Sequence, residues 1–167
     1  MGFIGMFHCD AMRQVPDAHL VAVADTVSSP NLKKAGEKFN VMAYTDPDEL
    51  LQRPDIDAVT LGTPSGLHMD IAVKAANAKK HVLTEKPIEV TLEKADRMIK
   101  ACRTNRVKLG VISQRRWDRG MKELKEAVDS GALGKLILGE AYVKWYRTQQ
   151  YYDSGKWRGT WELDGGG

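Results

Sequence analysis

From residue 20 to residue 112, short β-branched runs alternate with longer stretches of helical period. That rhythm admits little besides βαβ units wound about a parallel sheet. The strand candidates are residues 20–24, 58–62, 81–83 and 107–112. Between them Pro30–Phe39 and residues 46–51 read as helices, the second opened by Asp46 as N-cap with Pro47 at the first helical position. Residues 66–78 set Ile71, Ala75 and Ala78 on one stripe, and Leu92, Ala95, Ile99 and Cys102 form another after Thr91, a good capping residue. Both read as crossover helices. A further helix over 118–130 is expected to bury Met121, Leu124 and Val128 and to stop at Gly131. Residues 135–147 then change period: Ile137, Ala141, Val143 and Trp145 interleave with Glu140, Tyr142, Lys144 and Tyr146, as in the first strand of a half-exposed sheet.

Composition narrows the class further. With 43% hydrophobic and 28% charged residues in 167, the chain can bury one ordinary core and the start of a second domain. The apolar runs are far shorter than the roughly 20 residues of a membrane helix, and a basic n-region with a long apolar stretch is missing from the start. A cytoplasmic protein is expected, with no membrane partner. Charges nearly balance, 25 basic against 22 acidic, and are interspersed, which argues against a nucleic-acid surface despite the cluster Arg115, Arg116 and Arg119. Cys9 and Cys102 fall in different helices and read as small buried side chains, not as a disulfide or a metal site.

Gly2-Phe3-Ile4-Gly5 leads straight into a helical pattern, and Asp25 closes the next strand about 20 residues on. This is the second half of a dinucleotide-binding G-x-G-x-x-G, whose first glycine would precede Met1. Glycine there lets backbone N–H groups approach a pyrophosphate at a helix N-terminus, and a carboxylate such as Asp25 accepts bonds from ribose hydroxyls and repels a 2′-phosphate. NAD is the expected cofactor, with Ser28 and Ser29 leaving room for NADP. The fold class is α/β: a Rossmann-like doubly wound parallel sheet lacking its first strand, followed by the first strand of an α+β domain. The expected domains are 1–117 and 118–167.

Three more segments carry a specific likeness. They are Asp57-Ala58-Val59 through Gly62-Thr63-Pro64-Ser65-Gly66-Leu67-His68, then Lys80-His81-Val82-Leu83-Thr84-Glu85-Lys86-Pro87, then Tyr151-Tyr152 through Trp157-Arg158-Gly159-Thr160-Trp161 to Asp164-Gly165-Gly166-Gly167. Together they resemble the Gfo/Idh/MocA oxidoreductases over essentially the whole chain. Independently of the likeness, Thr63-Pro64 and Glu85-Lys86-Pro87 each follow a strand, so they fall at the carboxyl edge where open α/β sheets bind ligands. Ser65 is suited to cap the helix after it.

The resemblance implies hydride transfer between NAD(P) and a hydroxyl carbon of a sugar, nucleotide sugar or cyclitol. It implies that Thr63, Pro64 and His68 border the nicotinamide half, that Lys86 is a catalytic-site residue with Glu85 orienting it, and that Trp157 and Arg158 face the cofactor, with Arg116 in the same neighbourhood. A lysine there can polarise a carbonyl or stabilise a developing alkoxide. It also implies a homo-oligomer, and an acid/base histidine with a nearby Asp shortly after the closing glycine run. His8, His19, His68 and His81 do not match that histidine. The chain is therefore expected to be cut short at both ends and impaired in turnover; the alternative is a non-catalytic dinucleotide-binding or interaction protein.

Overall fold

The computed structural model describes residues 1–26 and 30–165, so Ser28, Ser29, Gly166 and Gly167 lie outside the described residues. The elements in chain order are α1 (Phe3–Met12), β1 (Ala22–Ala24), α2 (Pro30–Phe39), β2 (Met42–Tyr44), α3 (Pro47–Leu51), β3 (Ala58–Leu61), α4 (His68–Asn77), β4 (His81–Thr84), α5 (Leu92–Asn105), β5 (Leu109–Val111), α6 (Arg119–Asp129) and α7 (Gln149–Asp153). Packing divides the chain into one unit of Met1–Ile112 with Gly159–Gly167, and another of Ser113–Arg158. The division comes before residue 117, and residues after 158 return to the first unit. Their docking is a backbone bond, from the Gly66 N–H to the Leu163 carbonyl at 3.1 Å.

All strand pairs are parallel, as crossover helices require. They form two sheets, β1-β2 and β3-β4-β5. In a doubly wound order β1 and β3 flank the first strand, and no ladder joins them among the described residues. β2 has no strong signal in the sequence, because it is three residues long and Met42 and Ala43 are exposed. The expected strands shrink to their paired residues: β1 begins at Ala22, and β5 spans Leu109–Val111 only.

Local chemistry accounts for most helix boundaries. The Asp46 carboxylate accepts from the Asp48 N–H at 2.8 Å, and the Thr91 hydroxyl from the Lys94 N–H at 3.3 Å. Gly131, at φ +72°, takes the left-handed conformation that closes α6. Ser65 does not cap α4. It starts a short 3-10 turn, Ser65–Leu67, and the α4 N-terminus is capped by Glu89, whose Oε2 accepts from the Met69 N–H at 2.7 Å.

The main core lies between α4, α5 and β3-β4-β5. Ala72, Ala75 and Ala76 present a flat face on which Met98 and Cys102 of α5 close, and Leu61 and Val82 fill the sheet side. Because α4 meets both the sheet and α5, its buried face is wider than the expected stripe and takes in His68, Met69, Ala72, Ala75 and Ala76, with Ile71 and Ala78 at its margin. In α5 the stripe is Ala95, Met98 and Cys102; Leu92, the first residue of the helix, is 86% exposed. A smaller cluster of Cys9, Val23, Leu32 and Ala35 joins α1, β1 and α2.

The second unit departs from expectation. Residues 135–147 form no strand, and Ile137, Val143 and Trp145 are exposed. A strand exists by pairing its backbone with a neighbour, and alternation alone does not supply one. Likewise Met121, Leu124 and Val128 of α6 share a stripe but stay partly exposed instead of buried, since an amphipathic face is buried only where something packs on it.

Candidate functional site

The carboxyl ends of β1, β3 and β4, with the start of α1, bring together the glycine, carboxylate and lysine residues singled out in the sequence. Gly2 is the α1 N-cap and has no side-chain cap bond; a Cβ there would meet nothing within 4 Å. Gly62, just past β3, has the opposite environment: a Cβ would lie 3.0 Å from Ile4 Cγ2 and 3.5 Å from the Gly5 nitrogen. Glycine at 62 therefore lets the first turn of α1 sit on the end of β3. Phe3 points outward and stacks on Phe7, with ring centroids 6.4 Å apart, so its place in the motif is a backbone one. Asp25 follows β1, its N–H bonded to the Tyr44 carbonyl at 3.0 Å, and its carboxylate pairs with the Met1 ammonium. The acid thus faces the glycine-bearing start of α1.

These features fit a dinucleotide. The helix start is open beside Gly2, Asp25 is directed toward it, and Thr63 Oγ1 is buried with no hydrogen-bond partner among the described residues. An unpartnered buried hydroxyl at the end of β3 is costly unless a ligand answers it. Gly2, Phe3, Ile4 and Gly5 would offer backbone N–H groups to phosphate, Asp25 would take ribose hydroxyls, and Thr63 and Pro64 would line the far half.

His68 is turned inward. It is 1% exposed, and its Nδ1 and Nε2 each lie 3.1 Å from a carbonyl oxygen, of Pro87 and Thr63 respectively. Its ring thus lies between the Thr63-Pro64 turn and the Glu85-Lys86-Pro87 turn. The Lys86-Pro87 peptide is cis. Lys86 is exposed, and its ammonium has no hydrogen bond or ion pair among the described residues. Glu85 does not hold that ammonium. Its Oε2 accepts from the Lys86 backbone N–H at 3.1 Å, and its Oε1 lies 3.0 Å from His8 Nε2.

His8, Thr60, Gly62 and Glu89 acquire structural roles at this edge that the sequence did not assign. One signal was available: His8 follows Ile4 by one helical turn, so it shares the face that meets β3. Glu89 carried no comparable signal, because its partner is set by the fold of two distant turns.

Trp157, Arg158 and Arg116 belong to the second unit. The Arg158 guanidinium lies over the Tyr151 and Trp157 rings at 4.3 and 4.7 Å, and Arg147 over Trp145 and Tyr151 at 4.5 and 4.8 Å. Arg116 is exposed at the 3-10 turn Gln114–Trp117, while Arg115 and Arg119 pair with Asp118 and Glu123 on the surface. Among the described residues, no group of three or more His, Cys, Asp or Glu side chains could hold a metal ion, and no helix is long and apolar enough to cross a membrane.

Residues 1–113 match the GFO_IDH_MocA family, described as "Oxidoreductase family, NAD-binding Rossmann fold". The chain is 40% identical over 136 residues to myo-inositol 2-dehydrogenase of Thermotoga maritima, covering 81% of this chain and 40% of that protein. Among solved structures it resembles the WlbA dehydrogenase from Bordetella pertussis in complex with NADH and UDP-GlcNAcA, with a TM-score of 0.88, 35% identity, and coverage of 98% of this chain and 51% of that one. It also resembles scyllo-inositol dehydrogenase from Lactobacillus casei with bound NAD(H) and scyllo-inositol, with a TM-score of 0.74, 31% identity, and coverage of 80% and 40%. The chain thus spans about two fifths to one half of the relatives it matches.

Proposed function

Because the chain belongs to the Gfo/Idh/MocA oxidoreductase family, whose first domain is an NAD-binding Rossmann fold, we propose that its protein transfers hydride between NAD and a hydroxyl carbon of a sugar, nucleotide sugar or cyclitol. The observation that carries this reading is the Lys86 ammonium, exposed just past the carboxyl end of β4 with no ion pair among the described residues, in a unit whose glycine-bearing helix start pairs with Asp25. Bound NAD supplies the hydride acceptor. The chain's own residues do the rest: Gly2 to Gly5 present N–H groups to anionic oxygens, Asp25 selects ribose hydroxyls, and Thr63 offers a hydroxyl to an amide or phosphate. Lys86 holds its charge against the substrate oxygen, where negative charge grows as the carbinol carbon loses hydride.

Within the second unit taken by itself, one observation favours the binding of a phosphate or carboxylate. Arg147 and Arg158 share the Tyr151 ring and have no carboxylate partner among the described residues, and Arg158 Nε is buried without a hydrogen-bond partner. Guanidinium groups stacked on aromatic faces keep their N–H edges free for such anions. The likeness to the WlbA dehydrogenase extends over this segment, covering 98% of the chain against 80% for the scyllo-inositol enzyme.

The test is an NADH fluorescence titration followed by hydride-transfer assays with myo-inositol, glucose and a UDP-linked hexuronic acid. NADH binding is expected, with turnover on at least one of these hydroxyl substrates. Lys86→Met is expected to lower turnover by about 10²-fold while NADH affinity survives. Turnover unaffected by Lys86→Met sinks the assignment of Lys86, and NADH binding without turnover on any hydroxyl substrate favours a non-catalytic dinucleotide-binding protein.

A further inference from the structure

His8 sits one turn along α1 from Ile4, and its ring is held between two elements that follow it by a long stretch of chain. Nδ1 lies 3.0 Å from Thr60 Oγ1 on β3, and Nε2 lies 3.0 Å from Glu85 Oε1 just past β4. The His8 and Glu85 side chains are only 10% and 15% exposed. A carboxylate oxygen only accepts, so Nε2 carries the proton. The Thr60 hydroxyl, which can donate or accept, meets Nδ1 and holds the ring in the orientation that brings Nε2 to Glu85.

The other end of the same carboxylate explains what this arrangement does. Glu85 Oε2 accepts from the Lys86 N–H, and the Glu85 N–H continues the β3-β4 pairing by donating to the Leu61 carbonyl at 3.0 Å. Glu85 is therefore fixed through its backbone, through His8 and through its own neighbour, and its carboxylate is turned inward. Its hold on Lys86 runs through the peptide from which the side chain projects.

We propose that His8 is a positioning residue, which through Glu85 sets the backbone of Lys86 and ties it to the glycine-bearing start of α1. Thr60 holds the other ring nitrogen and so the orientation of the ring that makes this bond. The proposal rests on the reading of Lys86 given above. A residue that only filled space between α1 and the sheet would be insensitive to tautomer, whereas this role requires a proton on Nε2.

The experiment uses the full chain and compares wild type with Thr60→Val, Thr60→Ser and His8→Ala. Nitrogen-15 NMR of His8 is expected to show a proton on Nε2 in wild type, Thr60→Ser and Thr60→Val, because the Glu85 carboxylate remains its acceptor. Hydrogen exchange at the Lys86 amide is expected to accelerate by about 10-fold or more in Thr60→Val and His8→Ala, and to return toward wild type in Thr60→Ser, within the roughly 10- to 100-fold range of outer-shell effects. A wild-type His8 with no proton on Nε2, or unchanged Lys86 exchange in folded Thr60→Val or His8→Ala, overturns the proposal. If His8→Ala does not fold, the near-isosteric Thr60 pair decides. Should Lys86→Met leave turnover intact while the tautomer and exchange results hold, the reading of Lys86 falls and the positioning role of His8 stands.

Discussion

At the scale of single residues, two glycines permit close approaches beside the carboxyl end of β3. Gly62 keeps the first turn of α1 on β3, and Gly66 lets the returning segment dock. A Cβ at 66 would lie 2.1 Å from the Glu162 carbonyl oxygen, against main chain that cannot swing away as a flexible side chain would. Gly66→Ala is therefore expected to break the Gly66 N–H bond to Leu163 and to cost about 1–3 kcal/mol, the range for overpacking. Hydrogen exchange at Gly66 and a denaturant melt check this; protection equal to wild type would show that the segment docks by other means. The value of these positions was only half legible in the sequence. Glycine at 62 and 66 stood in a recognisable run, but the close approaches that require it come from Ile4 and Glu162, distant in the chain.

At the scale of elements, each helix of the first unit carries an apolar face that its strand-side neighbours use, and the cysteines show the consequence. Cys9 in α1 and Cys102 in α5 are buried in separate clusters. Burial pushes both thiols above their ordinary range, with the Asp10 carboxylate adding to the effect at Cys9. Thiolate is thus scarce in the folded protein near neutral pH, and both groups are expected to resist a thiol-specific label until denaturant is added. The sign of the linked pH effect follows. A thiol raised above its unfolded value of 9.0 stays protonated in the fold while the unfolded chain ionises, so this contribution to stability is full below about pH 9 and is lost as pH rises further. Rapid native labelling of either cysteine, or a melt whose midpoint rises above pH 9, would contradict it.

At the scale of the molecule, the two units differ in how their apolar residues are used. Met1–Ile112 closes a core on parallel strands, while in Ser113–Arg158 the stripe of α6 and the alternating residues 135–147 remain exposed. Unpaired, exposed backbone is the preferred substrate of proteases. Limited trypsinolysis is expected to cut first after Lys135, Lys144 or Arg147 and to leave α4 and α5 intact; early cleavage at Lys74 or Lys100 would mean that the core is less cooperative than its packing implies. Most of the first unit could be read in advance, since Pro30–Phe39 was recovered residue for residue and the Asp46 and Thr91 caps were placed correctly. The second unit could not, because periodicity names the face an element would bury but not whether anything covers it.

The sequence by itself determined the order of βαβ elements, the caps, the half glycine motif with Asp25, and the placement of Thr63 and Glu85-Lys86 at one sheet edge. Each of those depends on residues a few positions apart, where propensity, capping and strand direction act locally. Only the tertiary structure decided that His8 meets Glu85, 77 residues away, that His68 braces two turns from within, and that Glu89 caps α4. Those contacts join side chains whose separation in the chain carries no periodic signal, and they arise only when packing has brought three elements to one place.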